Sequence, residues 1–89
     1  MENDDLFDMA GAVNSREEFV RFVGELSRDL AAGGGEWENT DLSSYMRGLS
    51  GFAQDMDGYY KNMGEAVDTS KITWRIAAQM LLAATVYGN

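Results

Sequence analysis

Between residues 19 and 30 the large apolar side chains recur with the period of an α-helix. Phe19, Phe22, Val23, Leu26 and Leu30 fall at i, i+3, i+4, i+7 and i+11, one stripe of a 3.6-residue repeat. Glu17, Arg21, Glu25 and Arg28 occupy the opposite face at pairing distances. "SREE" at 15–18 is a capping box: the Ser15 hydroxyl can accept from the amide of Glu18, whose carboxylate can reach back. The glycines at 33–35 then stop the helix. A second stripe, Leu42, Tyr45, Met46, Leu49, Phe52, Ala53 and Met56, predicts a helix opening at Asn39 or Thr40, both good caps. A third helix is predicted after "VDTS", capped by Thr69 or Ser70 and running to about Tyr87. It is apolar round most of its circumference, with Arg75 and Gln79 as its polar edge, so burial among neighbours is expected and Trp74 is expected in the core. Leu6, Phe7 and Met9 allow a short additional helix over residues 4–12. Proline is absent and β-branched residues are sparse, so nothing opposes long helices. The expectation is an all-α fold: a three-helix antiparallel bundle over residues 15–89, preceded by an acidic segment, 1–14, carrying the short N-terminal helix.

One stretch, "QDMDGYYKN" at 54–62, resembles the middle of a calcium loop. Such a loop needs oxygen ligands at positions 1, 3 and 5, glycine at 6 and a bidentate glutamate at 12. With Gly58 at position 6, Asp57 and Asp55 fall at 5 and 3, but position 1 is Ala53 and position 12 is Gly64. Both anchoring ligands are missing. The stretch reads instead as the last turns of the second helix, with Met56 and Tyr60 packing inward and Asp55 and Asp57 on polar flanks.

Composition narrows the chemistry. The 89 residues include no histidine and no cysteine, which removes the commonest general base, the thiolate nucleophile and thiolate zinc sites. "AAGGGE" lacks the lysine of a phosphate loop. No enzymatic activity, metal or cofactor is expected. The apolar run Ile76 to Ala84 is too short to span a bilayer. The acidic start "MENDDLFDMAGAV" is unlike a signal peptide, so a cytoplasmic location is expected. The net charge of −8 is concentrated in the first two thirds of the chain. A field of that sign repels nucleic acid and anionic lipid and attracts basic partners.

Two features are candidates for an interaction surface. "EWENTD" sets Trp37 between Glu36 and Glu38, with Asp41 close behind. An exposed tryptophan ringed by acid suits a basic partner; the alternative is that Trp37 folds over the end of a core that needs every aromatic. Beside the apolar stripe of the second helix, Ser44, Gly48, Gly51 and Asp55 form a run of small residues. Two interior glycines each cost a helix about 0.8–1 kcal/mol relative to alanine. Either another part of the same domain approaches closely there, or the stripe receives a partner or a second copy.

Taken in order, "REEFVRFVGELSRDL", "WEN", "DLSSYMRGL", "DMDGYYKN" and "WRIAAQMLLAATVY" resemble a small bacterial family of unknown function over residues 15–87. The matching positions are Trp37, Glu38, Asn39, Asp55, Asp57, Gly58, Tyr59, Tyr60 and Trp74. The glycine-rich "AAGGGE" connection departs from that pattern. The resemblance implies a fold and no activity. The expected function is a small acidic binding protein, an immunity protein or antitoxin against a basic toxin such as a nuclease. The alternative is an adaptor or self-associating protein, a homodimer through Gly48 and Gly51. Candidate partner-binding residues are Glu36, Trp37, Glu38, Asp41, Gly48, Gly51, Asp55, Asp57 and Tyr59.

Overall fold

The computed structural model describes residues 3–88, and all the regular structure within them is helical: α1 (Asn3–Ala12), α2 (Arg16–Ala31), α3 (Leu42–Asn62) and α4 (Trp74–Ala83). The short N-terminal helix is present, and α2 opens at its expected Ser15 cap, although the Glu18 carboxylate reaches one residue past the Ser15 amide. The Ser15 hydroxyl accepts from the Glu18 amide at 3.1 Å, and the Glu18 carboxylate accepts from the Asn14 amide at 2.9 Å. Two helices end in the same way. Gly33 turns into the left-handed region at φ +117°, and the Gly33 and Gly34 amides return to Leu30 and Asp29. Gly64, at φ +76°, does this for α3, with its own amide and that of Glu65 returning to Lys61 and Tyr60.

The helix α4 organises the packing, because it lies against each of the other three while α2 and α3 do not pack on each other. On one side of it Ala78 and Leu82 join Leu6, Ala10 and Val13 of the α1 segment and Phe22 and Leu26 of α2. On the other side Ile76 meets Phe52, Met56 and Tyr60 of α3. This accounts for an almost fully apolar helix in a small domain: both of its flanks are core. It also places the expected boundary at residue 14 inside one packed unit, since Leu6 and Val13 are buried in the same cluster as Phe22 and Leu26 of α2. The radius of gyration, 12.5 Å, matches the roughly 12 Å of a single domain of this length.

Several expectations are corrected. The helix α3 opens at Asp41, whose carboxylate accepts from the Ser44 amide at 2.8 Å, and not at Asn39 or Thr40. The helix α4 opens at Thr73, whose hydroxyl accepts from Ile76, because Asp68 closes residues 68–71 into a turn through Ser70 and Lys71. It ends at Ala83, short of Tyr87. Trp74, expected in the core, stands at the first position of α4; it is 43% exposed and rests on Phe19 at a ring separation of 5.3 Å. Leu42 and Met46, assigned to the buried stripe of α3, are 76% and 58% exposed, because nothing crosses that half of the helix on its outer side. Leu30 is partly exposed at the end of the α2 stripe, and Ala53 is exposed.

Candidate functional site

Residues 36–41 form a strap that ties the end of α2 to the start of α3 across the C-terminal end of α4. The amides of Glu38 and Asn39 both donate to the Thr85 carbonyl, at 2.9 and 2.8 Å. The buried Asn39 side chain donates to the carbonyls of Ala84 (2.8 Å) and Tyr87 (2.9 Å). Tyr45 adds a hydrogen bond from its hydroxyl to the Leu81 carbonyl at 2.7 Å. Carbonyls left open where α4 stops are thus satisfied from a distant part of the chain. Asn39 is not the cap of the helix that follows it but closes the end of α4 through the Ala84 carbonyl, 45 residues further along the chain. Trp37 is half-buried: it stacks on Tyr45 at 6.0 Å, and its indole N–H donates to the Asp29 carboxylate at 2.9 Å. Of the two alternatives for this tryptophan, the structure takes the fold-back over the core. Glu36 and Glu38, its neighbours, stay exposed, and neither carboxylate has an ion-pair or hydrogen-bond partner within the described residues. Asp41 is exposed beside them; its carboxyl is held below the usual aspartate range by the Ser44 amide and then the Ser44 hydroxyl.

The small-residue stripe of α3 is occupied by its own chain. Residues 84–87 lie along it. A side chain at Gly48 would come within 2.5 Å of the Ala84 carbonyl oxygen and 2.7 Å of the Asn39 amide nitrogen. At Gly51 the Tyr87 ring is 3.2 Å away, and the Tyr87 hydroxyl donates to the Asp55 carboxylate one turn further on. Gly48 and Gly51 are therefore the bed of an internal contact, which corrects their assignment to an intermolecular surface. Asp55 anchors that contact, and the Tyr87 hydroxyl is pushed above its usual pKa by this hydrogen bond and by burial. Asp57 points elsewhere and accepts from the Thr69 hydroxyl. Both aspartates belong to an unbroken helix that runs to Asn62. Asp41 and Asp55 are fourteen residues apart on α3, about 21 Å along its axis. The candidate residues consequently divide into an acidic end, Glu36, Glu38 and Asp41, and a remote pair, Asp55 and Asp57.

Tyr59 is half-buried and meets Phe52 edge-on at 5.2 Å. With Phe7, Tyr87 and Val86 it lines a cleft of about 230 Å³ between α1, α3 and the end of α4. The sequence reading did not single out Phe7 or Tyr87. Tyr87 was assigned to the end of a helix, and no local signal showed that the chain turns back there onto Gly48 and Gly51. A broader depression at the other end of α4 is lined by Val13, Ile72, Trp74 and Arg75. Among the described residues no cluster of three or more aspartates and glutamates converges on a metal-sized site, and no helix is long and apolar enough to cross a membrane.

No curated protein and no solved structure matches the chain. A family of unknown function, DUF7660, does match, over residues 15–88. The matched span takes in α2, the strap, α3, α4 and the returning segment, and it begins after α1, although α1 completes the core. On that match, which covers most of its length, the chain belongs to the DUF7660 family of unknown function.

Proposed function

We propose that the protein is a non-catalytic binding module whose exposed carboxylates receive a basic protein partner. In its most specific form it is an immunity protein or antitoxin that neutralises a basic toxin such as a nuclease, acting in the cytoplasm without binding nucleic acid or membrane. The observation that carries this reading is the acidic end of the molecule. Glu36 and Glu38 are exposed, without a partner among the described residues, on a strap whose backbone is held by two hydrogen bonds to Thr85. Preorganised charge of one sign speeds encounter with a surface of the other sign. The lack of histidine and cysteine fits a module that binds and does no chemistry.

The test is capture of partners from the native host, followed by association kinetics at two salt concentrations. Replacing Glu36 and Glu38 by glutamine and Asp41 and Asp57 by asparagine should slow association several-fold with helicity unchanged, since asparagine caps a helix as well as aspartate. The wild-type on-rate should fall with salt more steeply than that of the variant. A partner that is acidic, or binding that ignores salt, would overturn the reading. Exposed Leu42 and Met46, one turn apart on α3, favour the second reading, an adaptor or self-associating protein. Sedimentation showing a concentration-dependent mass that Leu42→Asp and Met46→Asp abolish would select it.

A further inference from the structure

Along the first three turns of α3, Leu42, Met46, Leu49 and Ala53 fall at i, i+4, i+7 and i+11, and so share an arc of about 60°. This stripe is not the one that holds the domain together. Tyr45, Gly48 and Phe52, further round the helix, meet Leu81, Ala84 and Tyr87. Leu42 and Met46 are 76% and 58% exposed, Ala53 is exposed, and the half-buried Leu49 joins neither core cluster. Apolar residues scattered singly over a surface are ordinary. Here four of them stand in register over about 16 Å, an apolar face that three turns of another helix would cover.

The charges at its two ends select the occupant. Asp41 immediately precedes Leu42, Glu38 lies on the strap that leads into it, and Asp57 follows one turn beyond Ala53. All three are exposed, and none has an ion-pair partner among the described residues. Arg47, the one base of α3 before Lys61, lies about 140° round the helix from Leu42. Its guanidinium is turned onto the Ser43 and Ser44 hydroxyls, at 2.9 and 3.3 Å. A second copy is poorly matched to such a face. Antiparallel copies centred on the stripe would bring the Asp41 end of each to the Asp57 end of the other. Parallel copies would set every acid beside its own counterpart, and like charges so placed oppose association. An anionic lipid surface meets the same repulsion. A helix with an apolar face bordered by lysines or arginines answers both features: its apolar side chains cover the stripe, and its bases meet the acids at either end.

We propose that the outer stripe of α3, from Leu42 to Ala53, is the docking face for a basic amphipathic helix of a partner protein. That the partner is basic rests on the binding reading above. The stripe adds to it the place of the apolar contact and the secondary structure that the partner presents there.

The experiment titrates a synthetic helix into the full-length ¹⁵N-labelled protein and follows the amide shifts. The peptide is about 14 residues long, with leucines at i, i+4, i+7 and i+11 and lysines elsewhere. One control peptide has glutamate for lysine; the other has serine for leucine. The expected result is saturable shifts centred on the amides of residues 42–53, with the leucine–lysine peptide binding about tenfold more tightly than either control. Leu42→Ser combined with Met46→Ser should weaken it about fivefold and leave the thermal melt in place, since both side chains stand in water. Absence of saturable shifts on the stripe, or equal binding of either control, would overturn the proposal. So would concentration-dependent shifts of the same amides without peptide, which would give the stripe to a second copy. Partner capture separates this proposal from the reading it rests on. A basic partner held equally well by the wild type and the double serine variant would sink the docking face and leave the acidic-module reading intact. Selective binding of the leucine–lysine peptide by a chain that captures no basic partner would support the stripe and sink the partner reading.

Discussion

Gly48 and Asn39 show how much of this fold depends on single side chains. In an open helix, alanine at position 48 would stabilise by about 0.8–1 kcal/mol through helix propensity. Here its Cβ would meet a backbone oxygen at 2.5 Å, which cannot swing aside as a flexible side chain could. Gly48→Ala should therefore destabilise by about 1–3 kcal/mol, the usual range for overpacking. A rise in urea midpoint would show that residues 84–87 do not lie on α3. Asn39→Ala removes the donor to two carbonyls, one of them in a buried bond. A loss of about 1–3 kcal/mol is expected, with the unsatisfied carbonyls as its main source. If Asn39 were only a helix cap, aspartate would substitute freely; here Asn39→Asp should be no better than alanine, because a carboxylate cannot donate to a carbonyl. Chemical denaturation of the three proteins decides between these roles.

At the scale of elements, the contrast between Phe22 and Trp74 tests the packing around α4. Phe22 is fully buried in the face shared with α1, so Phe22→Ala should cost about 3–5 kcal/mol. Trp74 is the larger residue, yet it stands at the helix tip and keeps 43% of its surface in water, so Trp74→Ala should cost only about 1–2 kcal/mol. Equal losses at the two sites would mean that α4 starts earlier than Thr73. The helix α1 lies before the matched family span, but its buried face is continuous with that of α2 and α4. Leu6 and Val13, only 1% and 2% exposed, contribute on the order of 3–6 kcal/mol together. That is comparable with the whole stability of a small domain. Deleting residues 1–13 should abolish the cooperative thermal transition seen by circular dichroism; an unchanged melt would show α1 to be an appendage.

For the whole molecule, alkaline pH provides a readout of the tyrosine network that joins α3 to α4 and its tail. Burial pushes the Tyr45 hydroxyl up to about 12, burial also raises that of Tyr60, and the Asp55 hydrogen bond raises that of Tyr87. In the unfolded chain these groups ionise near about 10. Above that pH the unfolded state loses protons that the folded state retains, so it binds fewer and stability falls as pH rises. The stability these groups supply is complete below about pH 10 and, for Tyr45, is lost progressively towards about 12. Urea midpoints at intervals across that window should fall steadily. Tyr45→Phe should start lower, having lost its bond to Leu81, and fall less steeply. A midpoint independent of pH up to 12 would contradict the burial of Tyr45.

What the sequence determined by itself is what depends on neighbours within about a turn. The helical class, the buried faces of α2 and of the later half of α3, the Ser15 cap, the passage of α3 through "DMDGYY" and the net charge are all properties of residues close together in the chain. The tertiary structure decided what depends on which segment lies across from which. Asn39, Tyr45 and Asp55 each meet partners 32 to 48 residues away, and no local pattern distinguishes an asparagine that caps the next helix from one that closes a distant one. The glycine stripe showed that something had to come close and left open whether it was the same chain; residues 84–87 answer that. The cleft was not legible for the same reason. Its walls come from α1, α3 and the returning tail, and they meet only once α4 has brought those three together.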